Sequence, residues 1–388
     1  MKRHLIFLIL FLRIISPTSA TTITGYVFAD KNNNGQQDGQ EPGVANVAVS
    51  NQFRVVTTDS RGFYSLEGED YGIVMISVPT GYKTPEFWKT IPEGQSNPTI
   101  NFALASTPPV TSFSFVHASD THISENSLDR MNKFKSAVDA AKPDLVLVTG
   151  DLVRDALRVP EETARKYYEL YKTETEKFTP PVWNVPGNHE IFGIERHQSL
   201  VSKKHALYGR KMYRHYLGPD YYSFNYGGVH FIALNDVDFD DLWYYGHVDS
   251  VQMQWLKQDL SLIAPATPVV TFHHMALYSP GLSLDPFEEH GAARSVEIEK
   301  GKLQYRHLVS NAMDVMMLMQ NNNYVLSLAG HFHMRQVCRF EVKGRSTRFE
   351  QAACVIEGYP LGAFQVPAGI TVYHVKNGVI DEGRFIEF

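Results

Sequence analysis

The sequence predicts an α/β domain of two packed sheets with helices outside, preceded by a small all-β sandwich. Short β-prone runs recur between turn residues over residues 21–106 and show no helical periodicity. Two prolines follow small residues at 105–109, so we place a stiff linker at residues 107–111. From residue 112 to residue 388, strand-like and helix-like segments alternate, which is typical of a partly parallel sheet.

The composition is that of an ordinary globular protein, with 43% hydrophobic and 20% charged residues, and it excludes a disordered chain. The formal net charge is −6, and loss of residues 1–20, which hold three cations and no acid, lowers it by three to −9. Because general nucleic-acid binders are normally basic, we expect no nucleic-acid partner. Two cysteines, Cys338 and Cys354, exclude a disulfide framework; they lie on strand-like runs around a turn and either pair or stay free.

Residues 1–20 have the pattern of a secretory signal peptide. Lys2 and Arg3 precede an apolar run, Leu5 to Leu12, and small residues lead to a cut that we expect after Ala20. The alternative is a membrane anchor, but the run is well short of the roughly 20 residues that span a bilayer. No other segment reaches that length, so we expect a secreted or periplasmic product without a membrane span after cleavage.

The first domain, residues 21–106, contains six runs that predict strands. They are Ile23–Phe28, Val47–Ser50, Arg54–Thr58, Phe63–Leu66, Ile73–Val78 and Thr99–Leu104. Their regular spacing between turns favours a β-sandwich.

The turn at residues 30–41 has the spacing of a calcium loop, with Gly35 at its sixth position. Oxygen-bearing side chains occupy positions 1, 3, 5, 9 and 12, namely Asp30, Asn32, Asn34, Asp38 and Glu41. Oxygens at alternate positions suit a hard cation, and the glycine permits the sharp turn; the alternative is a polar turn without metal. With residues 25–30 and 58–64, the loop resembles the calcium-binding B-repeat (SdrD-type) sandwich of bacterial surface proteins, an immunoglobulin/prealbumin-like fold. That resemblance implies a calcium ion that stiffens the domain.

The second domain begins with a β-α-β-α-β run. We expect strands at Phe113–Ala118, Leu145–Val148 and Val182–Val185, with helices at Ser127–Ala141 and 161–177 between them. The pattern then predicts strands at Tyr222–Tyr226, Val229–Leu234, Val269–Phe272 and Tyr324–Leu328, and helices at Ser250–Ile263 and Leu303–Met319.

A group of polar residues follows each of five strands in this domain. The groups are Asp120 with His122, Asp151, Asn188-His189-Glu190, His273-His274, and His331 with His333. Ligand sites of open α/β sheets lie outside the carboxyl ends of the strands, so these groups should converge. They offer carboxylate, amide and imidazole ligands but no thiolate, which suits manganese, iron or zinc. With one carboxylate shared, seven such ligands can hold two metal ions.

In this order the segments Asp120-x-His122, Gly150-Asp151, Gly187-Asn188-His189-Glu190, His273 and Gly330-His331-x-His333 resemble the calcineurin-like metallophosphoesterases, from about residue 110 to residue 388. The resemblance implies a four-layer α/β/β/α sandwich, a dinuclear centre and a small phosphoester substrate. It also implies the ligands: Asp120, His122 and His333 for the first metal, Asp151 as the bridge, and Asn188, His273 and His331 for the second. Either histidine of the His273-His274 pair could bind, and the resemblance places the first one on the metal.

The same resemblance gives His189 a role beside the phosphate or the leaving group. Two cations would activate a bridging hydroxide for attack on the phosphorus, and His189 would assist the leaving oxygen. Many relatives support that histidine with an acid where this chain has Arg154, so its partner here stays open. Arg335, two residues after His333, would either bind phosphate or form a surface ion pair.

The function that we expect is therefore a secreted metal-dependent hydrolase of a phosphomonoester or phosphodiester. One alternative is an extracellular binding protein whose phosphoesterase domain is catalytically silent. Another is a metal-dependent nuclease, which the acidic net charge disfavours. The sequence leaves the substrate, the metals and the oligomeric state open.

Overall fold

The computed structural model describes residues 22–95, 97–280, 296–299, 302–361 and 364–388. The expected signal peptide, residues 1–20, lies outside the described residues.

The N-terminal part is built from two four-stranded sheets. Its strands are β1 (Thr22–Ala29), β2 (Ala48–Ser50), β3 (Val55–Thr57), β4 (Phe63–Glu67), β5 (Ile73–Ile76), β6 (Tyr82–Lys83), β7 (Trp88–Thr90) and β8 (Phe102–Ser106). One sheet has the order β4-β1-β8-β6 and the other the order β3-β2-β5-β7. Alternate residues of these strands, such as Val49, Leu66 and Phe102, are fully buried between them.

The rest of the chain alternates strands and helices. Its strands are β9 (Ser112–Ala118), β10 (Leu145–Thr149), β11 (Val182–Val185), β12 (Tyr222–Tyr226), β13 (Val229–Ala233), β14 (Val237–Asp240), β15 (Trp243–Gly246), β16 (Pro268–Phe272), β17 (Val296–Glu299), β18 (Lys302–Tyr305), β19 (Asn323–Ala329), β20 (Gln336–Val342), β21 (Arg345–Gln351), β22 (Tyr359–Leu361), β23 (Phe364–Val366), β24 (Gly369–Lys376), β25 (Val379–Ile380) and β26 (Arg384–Glu387). Its helices are α1 (Leu128–Ala141), α2 (Glu161–Thr175), α3 (Arg196–Ser199), α4 (Lys211–Leu217), α5 (Ser250–Leu260) and α6 (Ala312–Leu318).

Two six-stranded sheets form the centre of this part. The first has the order β11-β10-β9-β24-β25, with β26 also paired to β24, and the second has the order β12-β13-β16-β19-β21-β20. Strands β9, β10 and β11 run parallel, as do β13, β16, β19 and β21. The parallel strands of each sheet therefore end at one edge, where ligand sites of α/β sheets form.

The core shows that the sheets pack face to face with helices outside. Phe115 of the first sheet packs against Phe231 of the second, with ring centroids 5.7 Å apart. On the outer face of the first sheet, Val146 packs in one cluster with Phe134 of α1 and Tyr168 of α2. The expected α/β sandwich preceded by a strand-rich domain is confirmed.

One expected element is wrong in its first half. Helix α6 begins at Ala312, whereas Lys302–Tyr305 is a strand that pairs antiparallel with β17. Polar and apolar residues alternate over 302–305, which is the period of a strand rather than that of a helix.

The N-terminal sheets dock on the second domain through buried polar contacts. Gln52, which is fully buried, donates from Nε2 to Oδ1 of Asp220 and to the carbonyl oxygen of Tyr221, both at 3.0 Å. The guanidinium of Arg214 lies 3.6 Å from the ring centroid of Tyr71. Polar groups are buried at low cost only when they are hydrogen-bonded, so these contacts fix one way of docking.

Among the described residues, no helix is both long enough and apolar enough to cross a membrane.

Candidate metal centre

The five predicted groups meet at the carboxyl ends of β9, β10, β11, β16 and β19. Five residues of these groups have a left-handed backbone conformation, namely Asp120 (φ 56°), His122 (φ 36°), Asp151 (φ 48°), His331 (φ 67°) and His333 (φ 54°). Such conformations cost of order 1–3 kcal/mol each for residues other than glycine, and they cluster at functional sites. The loops are thus bent sharply enough to turn successive side chains toward one point.

The first group consists of Asp120, His122, Asp151 and His333, whose ligand atoms all lie within 4.8 Å of one another. Nε2 of His333 lies 3.2 Å from Nε2 of His122 and 3.2 Å from Oδ1 of Asp120. Oδ2 of Asp151 lies 3.7 Å from Nε2 of His122. Ligands that hold one ion at about 2.1 Å are about 3.0–3.4 Å apart, so these atoms are close to a coordination polyhedron.

The second group consists of Asp151, His274 and His331, and the amide of Asn188 adjoins it. Nε2 of His274 lies 3.3 Å from Oδ1 of Asp151, 3.1 Å from Nδ1 of His331 and 3.1 Å from Oδ1 of Asn188. Asp151 belongs to both groups, with Oδ1 facing the second and Oδ2 facing the first.

The structure does not bring His273 to this cluster, which corrects the expectation that it is the ligand of the pair. Nδ1 of His273 donates to Oδ2 of Asp236 at 2.9 Å, and Nε2 lies 2.9 Å from Oγ of Ser327. Both ring nitrogens therefore have partners in the protein interior. The side chains of adjacent residues point in opposite directions at the end of a strand, so His274 faces the cluster instead.

The donor set fits metal ions because the atoms that face one another carry lone pairs. Nδ1 of His274 donates to the carbonyl oxygen of Thr149 at 2.8 Å, so its Nε2 presents a lone pair to Asn188 and Asp151. Nε2 of His331 faces the carbonyl oxygen of Arg306 at 2.9 Å, so Nδ1 of His331 also presents a lone pair to the cluster. Oδ1 of Asp120, fully buried, has no hydrogen-bond partner among the described residues. Lone pairs in such proximity repel one another unless a proton or a metal ion lies between them.

The two carboxylates make the cluster strongly attractive to positive charge. Burial alone would lower the pKa of His274, but Asp151 raises it to about 10. Burial also opposes protonation of His333, and Asp120 raises its pKa to about 12. The pKa of Asp120 itself falls to about 2, because His333 outweighs burial. A divalent cation placed between these atoms would be stabilised by the same negative charge of the two carboxylates.

His189 lies beside the cluster rather than in it. Its Nε2 is 3.8 Å from Oδ2 of Asp151, its ring packs edge-on against His122, and its side chain is 23% exposed. Nδ1 of His189 donates to the carbonyl oxygen of Arg154. The partner that the sequence left open is therefore the backbone of residue 154, and the ring presents Nε2 to the solvent-facing side of the cluster.

Gly330 lets the ends of β9 and β19 approach closely. A Cβ at this position would lie 1.8 Å from Oγ of Ser119 and 2.8 Å from Oδ2 of Asp120. The same Oδ2 accepts the backbone N–H of His331 at 3.1 Å. The glycine thus brings the ligands of the two strands into one group.

Three further groups support the ligands. Asp236 accepts from His273 and from the backbone N–H groups of His274 and Met275. Glu190 accepts the N–H groups of Val153 (2.9 Å) and Gly187 (2.6 Å) and so joins two loops of the site. The Arg306 carbonyl orients His331. Glu190 stood inside a recognised motif, whereas nothing in the sequence marked the other two.

The remaining predicted residues lie outside the two ligand groups. The guanidinium of Arg335 lies 5.8 Å from the Phe385 ring centroid, and its charge opposes the rise that burial causes in the pKa of Glu350. Cys338 and Cys354 are free thiols, and Sγ of Cys354 donates to the carbonyl oxygen of Asp120 at 3.1 Å. The loop from residue 30 to residue 41 belongs to the N-terminal domain.

Comparisons with known proteins agree with this geometry. Residues 113–335 match the family profile described as Calcineurin-like phosphoesterase, and residues 31–107 match the profile described as N terminal of Calcineurin-like phosphoesterase. Colossin-A of Dictyostelium discoideum is 42% identical over 59 residues, which are 15% of this chain and, rounded, 0% of that relative. The chain therefore spans only a minute part of the curated relative that it matches.

Two solved structures are similar at low sequence identity. A dimetal phosphatase from Danio rerio is 16% identical, with a TM-score of 0.45, over 72% of this chain and 98% of that chain. GAP50, described as the anchor in the inner membrane complex of Plasmodium, is 13% identical, with a TM-score of 0.41, over 71% of this chain and 85% of that chain. Because the first family profile covers more than half of the sequence and contains all of the clustered residues, this chain belongs to the calcineurin-like phosphoesterase family.

Proposed function

We propose that this protein is a secreted, dinuclear-metal hydrolase of a small phosphomonoester or phosphodiester. The observation that carries the proposal is the pair of ligand groups that share Asp151. Asp120, His122 and His333 would hold one ion, and Asn188, His274 and His331 would hold the other, with Asp151 available to both. Imidazole, carboxylate and amide donors without thiolate favour manganese, iron or zinc.

Two bound cations would activate a water and hold the phosphoryl oxygens for in-line displacement. His189 supplies the proton for the leaving oxygen. Its Nδ1–H is fixed by the Arg154 carbonyl, so in the imidazolium form the second proton resides on Nε2, next to the cluster. Because this hydrogen bond fixes the orientation of the ring, little entropy is lost in positioning the acid for proton transfer. The partial exposure of the ring leaves room for a substrate.

The test combines metal loading with a substrate screen. Purified protein is stripped of metal, reloaded with manganese, iron or zinc, and assayed against phosphomonoesters, phosphodiesters, pyrophosphates and nucleic acids. Asp151→Asn should reduce turnover on the order of a thousandfold or more, the scale reached when a preorganised electrostatic contact is lost. Asp139→Asn, an exposed change on α1, is the matched control and should retain full activity.

Each result of the screen separates the candidates. Metal-loaded protein without turnover of any ester would favour a silent binding protein. Faster cleavage of nucleic acids than of small esters would favour a nuclease. Unchanged turnover in metal-loaded Asp151→Asn would refute the mechanism.

Secretion is part of the proposal and rests on the pattern of residues 1–20. Expression of the full chain in a bacterial host, followed by fractionation and N-terminal sequencing, tests it. We expect a mature chain that starts near residue 21 outside the cytoplasm; an uncleaved chain in the cytoplasm would contradict the proposal.

We also propose that the loop from residue 30 to residue 41 binds calcium. Within it, Asp30 accepts the backbone N–H groups of Asn34 and Gly35, and Glu41 accepts those of Lys31 and Asp38, so the carboxylates point into the loop. Calorimetry should detect calcium binding and a calcium-dependent rise in melting temperature, and Asp30→Asn should lose both. If calcium neither binds nor raises the melting temperature, this proposal is refuted, and the proposal for the metal centre is unaffected.

A further inference from the structure

Among the described residues, strand β20 forms an open, partly apolar edge of the second six-stranded sheet. It pairs with β21 from Gln336 to Val342, and within the part of the chain that the structure describes no strand pairs with its other side. Val337, Phe340 and Val342 are 42%, 40% and 45% exposed. Seven residues of unpaired edge with exposed apolar side chains are a template for another strand, and proteins normally block such edges.

The hairpin between β20 and β21 fixes which backbone groups face outward. Only Lys343 and Gly344 lie between the strands, both with positive φ, and Val342 faces Arg345 across the turn. In a two-residue hairpin that closing pair is hydrogen-bonded, and hydrogen-bonded pairs then alternate along the ladder. Val337, Arg339 and Glu341 therefore point their N–H and C=O groups toward the open side.

We propose that β20 pairs antiparallel with β20 of a second copy of this chain, across a two-fold axis at Phe340. Directly opposite residues of an antiparallel pair point to the same face of the sheet. A two-fold axis perpendicular to the sheet must therefore lie at a pair formed by the same residue of the two copies. The choice of that residue sets every other pairing in the interface.

The charges on β20 select Phe340 as the centre. An axis at Arg339 or at Glu341 would place like charges directly opposite each other, which is unfavourable. An axis at Cys338 would place Gln336 against exposed Phe340. An axis at Phe340 places Arg339 opposite Glu341 twice, and Cys338 opposite Val342. The strand is therefore self-complementary in charge and in polarity in this register.

The apolar face of the strand gains a partner in the same register. The Phe340 ring centroid lies 6.3 Å from that of Tyr278, which is 46% exposed, and Tyr278 lies 5.8 Å from Phe349. Pairing would place the two copies of Phe340 next to each other, on the face where Tyr278 also lies, and would remove apolar surface from water. Arg339 already contacts Glu382 of its own chain, but that pair is exposed and worth little.

Sedimentation equilibrium of the chain from residue 21 onward, over a range of concentrations, measures the association. We expect a dimer. Arg339→Glu and Glu341→Arg alone each replace two opposite-charge pairs with two like-charge pairs, and each should weaken association by about tenfold to a hundredfold. The double variant Arg339→Glu/Glu341→Arg restores the pairing and should restore the dimer.

Two controls exclude trivial effects of these changes. Glu382→Ala removes the intrachain partner of Arg339, and Arg345→Glu reverses a charge on the inner strand β21; neither should alter association. A monomeric wild-type chain at all concentrations would overturn the proposal. So would a dimer that tolerates both single reversals, or one that the double variant fails to restore.

Cross-linking tests the register directly. With the axis at Phe340, the Cα atoms of the two copies of residue 340 form a non-hydrogen-bonded pair about 4.5 Å apart, within the range of a disulfide. In a Cys338→Ser background, Phe340→Cys should therefore cross-link the dimer under mild oxidation, whereas Ser346→Cys on β21 should not. Equal cross-linking of both variants, or of neither, would contradict the register.

Discussion

Asp236 acts on the metal centre without belonging to it. One carboxylate oxygen accepts the backbone N–H groups of His274 (3.2 Å) and Met275 (3.1 Å), and the other accepts Nδ1–H of His273. All of these groups are buried, so the carboxylate fixes the turn that aims His274 at Asp151. A ligand whose loop is fixed in this way loses little entropy when it binds an ion.

Asp236→Asn should therefore lower metal affinity by about 10- to 100-fold, as is typical when a group that supports a ligand is changed. The amide has one acceptor oxygen in place of two, and its NH₂ group would face Nδ1–H of His273. Competition with a chelator of known affinity measures the change. Asp381→Asn, in the turn between β25 and β26, is a control, and equal metal affinity in both variants would contradict the role of Asp236.

The two adjacent histidines should differ in what their loss removes. His274→Gln should lower the number of metal ions bound per chain and reduce kcat/KM on the order of a hundredfold. His273→Gln should keep the metal content and instead cost about 1–3 kcal/mol of unfolding free energy, because Asp236 and Ser327 lose a buried partner. Metal analysis and denaturant unfolding of both variants distinguish them; the opposite assignment of effects would restore His273 as the ligand.

At the scale of elements, the ends of β9 and β19 determine whether the first ligand group forms. They touch where Gly330 packs on Ser119, and the loop after β10 follows them through the N–H of His122, which donates to the carbonyl oxygen of Asp151 at 2.9 Å. Strand ends that are bound to one another in this way move together. A side chain inserted between them should disturb several ligands at once.

Gly330→Ala should reduce metal content and activity much more than a methyl group usually does. Its Cβ would overlap Oγ of Ser119 at 1.8 Å, so the two strand ends must separate. Ser119→Gly combined with Gly330→Ala removes Oγ and Cβ of Ser119 but leaves Oδ2 of Asp120 at 2.8 Å, so it should recover part of the metal binding. Gly39→Ala, where no atom lies within 4 Å of the added Cβ, is the neutral control. A Gly330→Ala chain with normal metal content would contradict the close approach.

The sequence predicted most of these elements because each depends on neighbours along the chain. Runs such as Leu145–Val148 are apolar throughout, which is typical of strands buried on both faces. The structure also brings together six of the seven predicted ligands. The choice between His273 and His274 depends on Asp236 and Ser327, which lie far away in sequence, and no local pattern reports them. The prediction of one helix over Leu303–Met319 was wrong in its first half, because a segment with the two-residue period of a strand precedes the helical segment.

For the whole molecule, the docking of the N-terminal domain is a continuous set of buried hydrogen bonds. Asp220, which accepts from Gln52, also accepts from Arg214 at 2.8 Å and from Asn235 at 2.9 Å. Asn235 directly precedes Asp236 and exchanges two hydrogen bonds with Gln252 of α5. The N-terminal sheets therefore contact the element that leads to the metal centre.

Because of these contacts, the chain should unfold in one cooperative transition. Gln52→Ala removes two buried hydrogen bonds, one to Oδ1 of Asp220, which keeps its bond from Arg214, and one to the carbonyl oxygen of Tyr221, and should cost about 1–3 kcal/mol. Gln37→Ala, in the exposed loop, should have almost no effect. Denaturant unfolding followed by tryptophan fluorescence and by circular dichroism measures both. Two separate transitions in the wild-type chain would show that the domains are independent.

The shared carboxylate has a thermodynamic consequence. Asp151 faces both ligand groups. An ion bound in one group therefore neutralises part of the carboxylate charge that attracts an ion to the second group. It also immobilises the carboxylate whose oxygen the second group needs. The two equilibria are therefore linked, and linkage is reciprocal: whatever factor the first ion imposes on the dissociation constant of the second, the second imposes on the first. A titration of the metal-free chain would then follow a two-site isotherm whose steps belong to the pair, so neither constant describes one position alone.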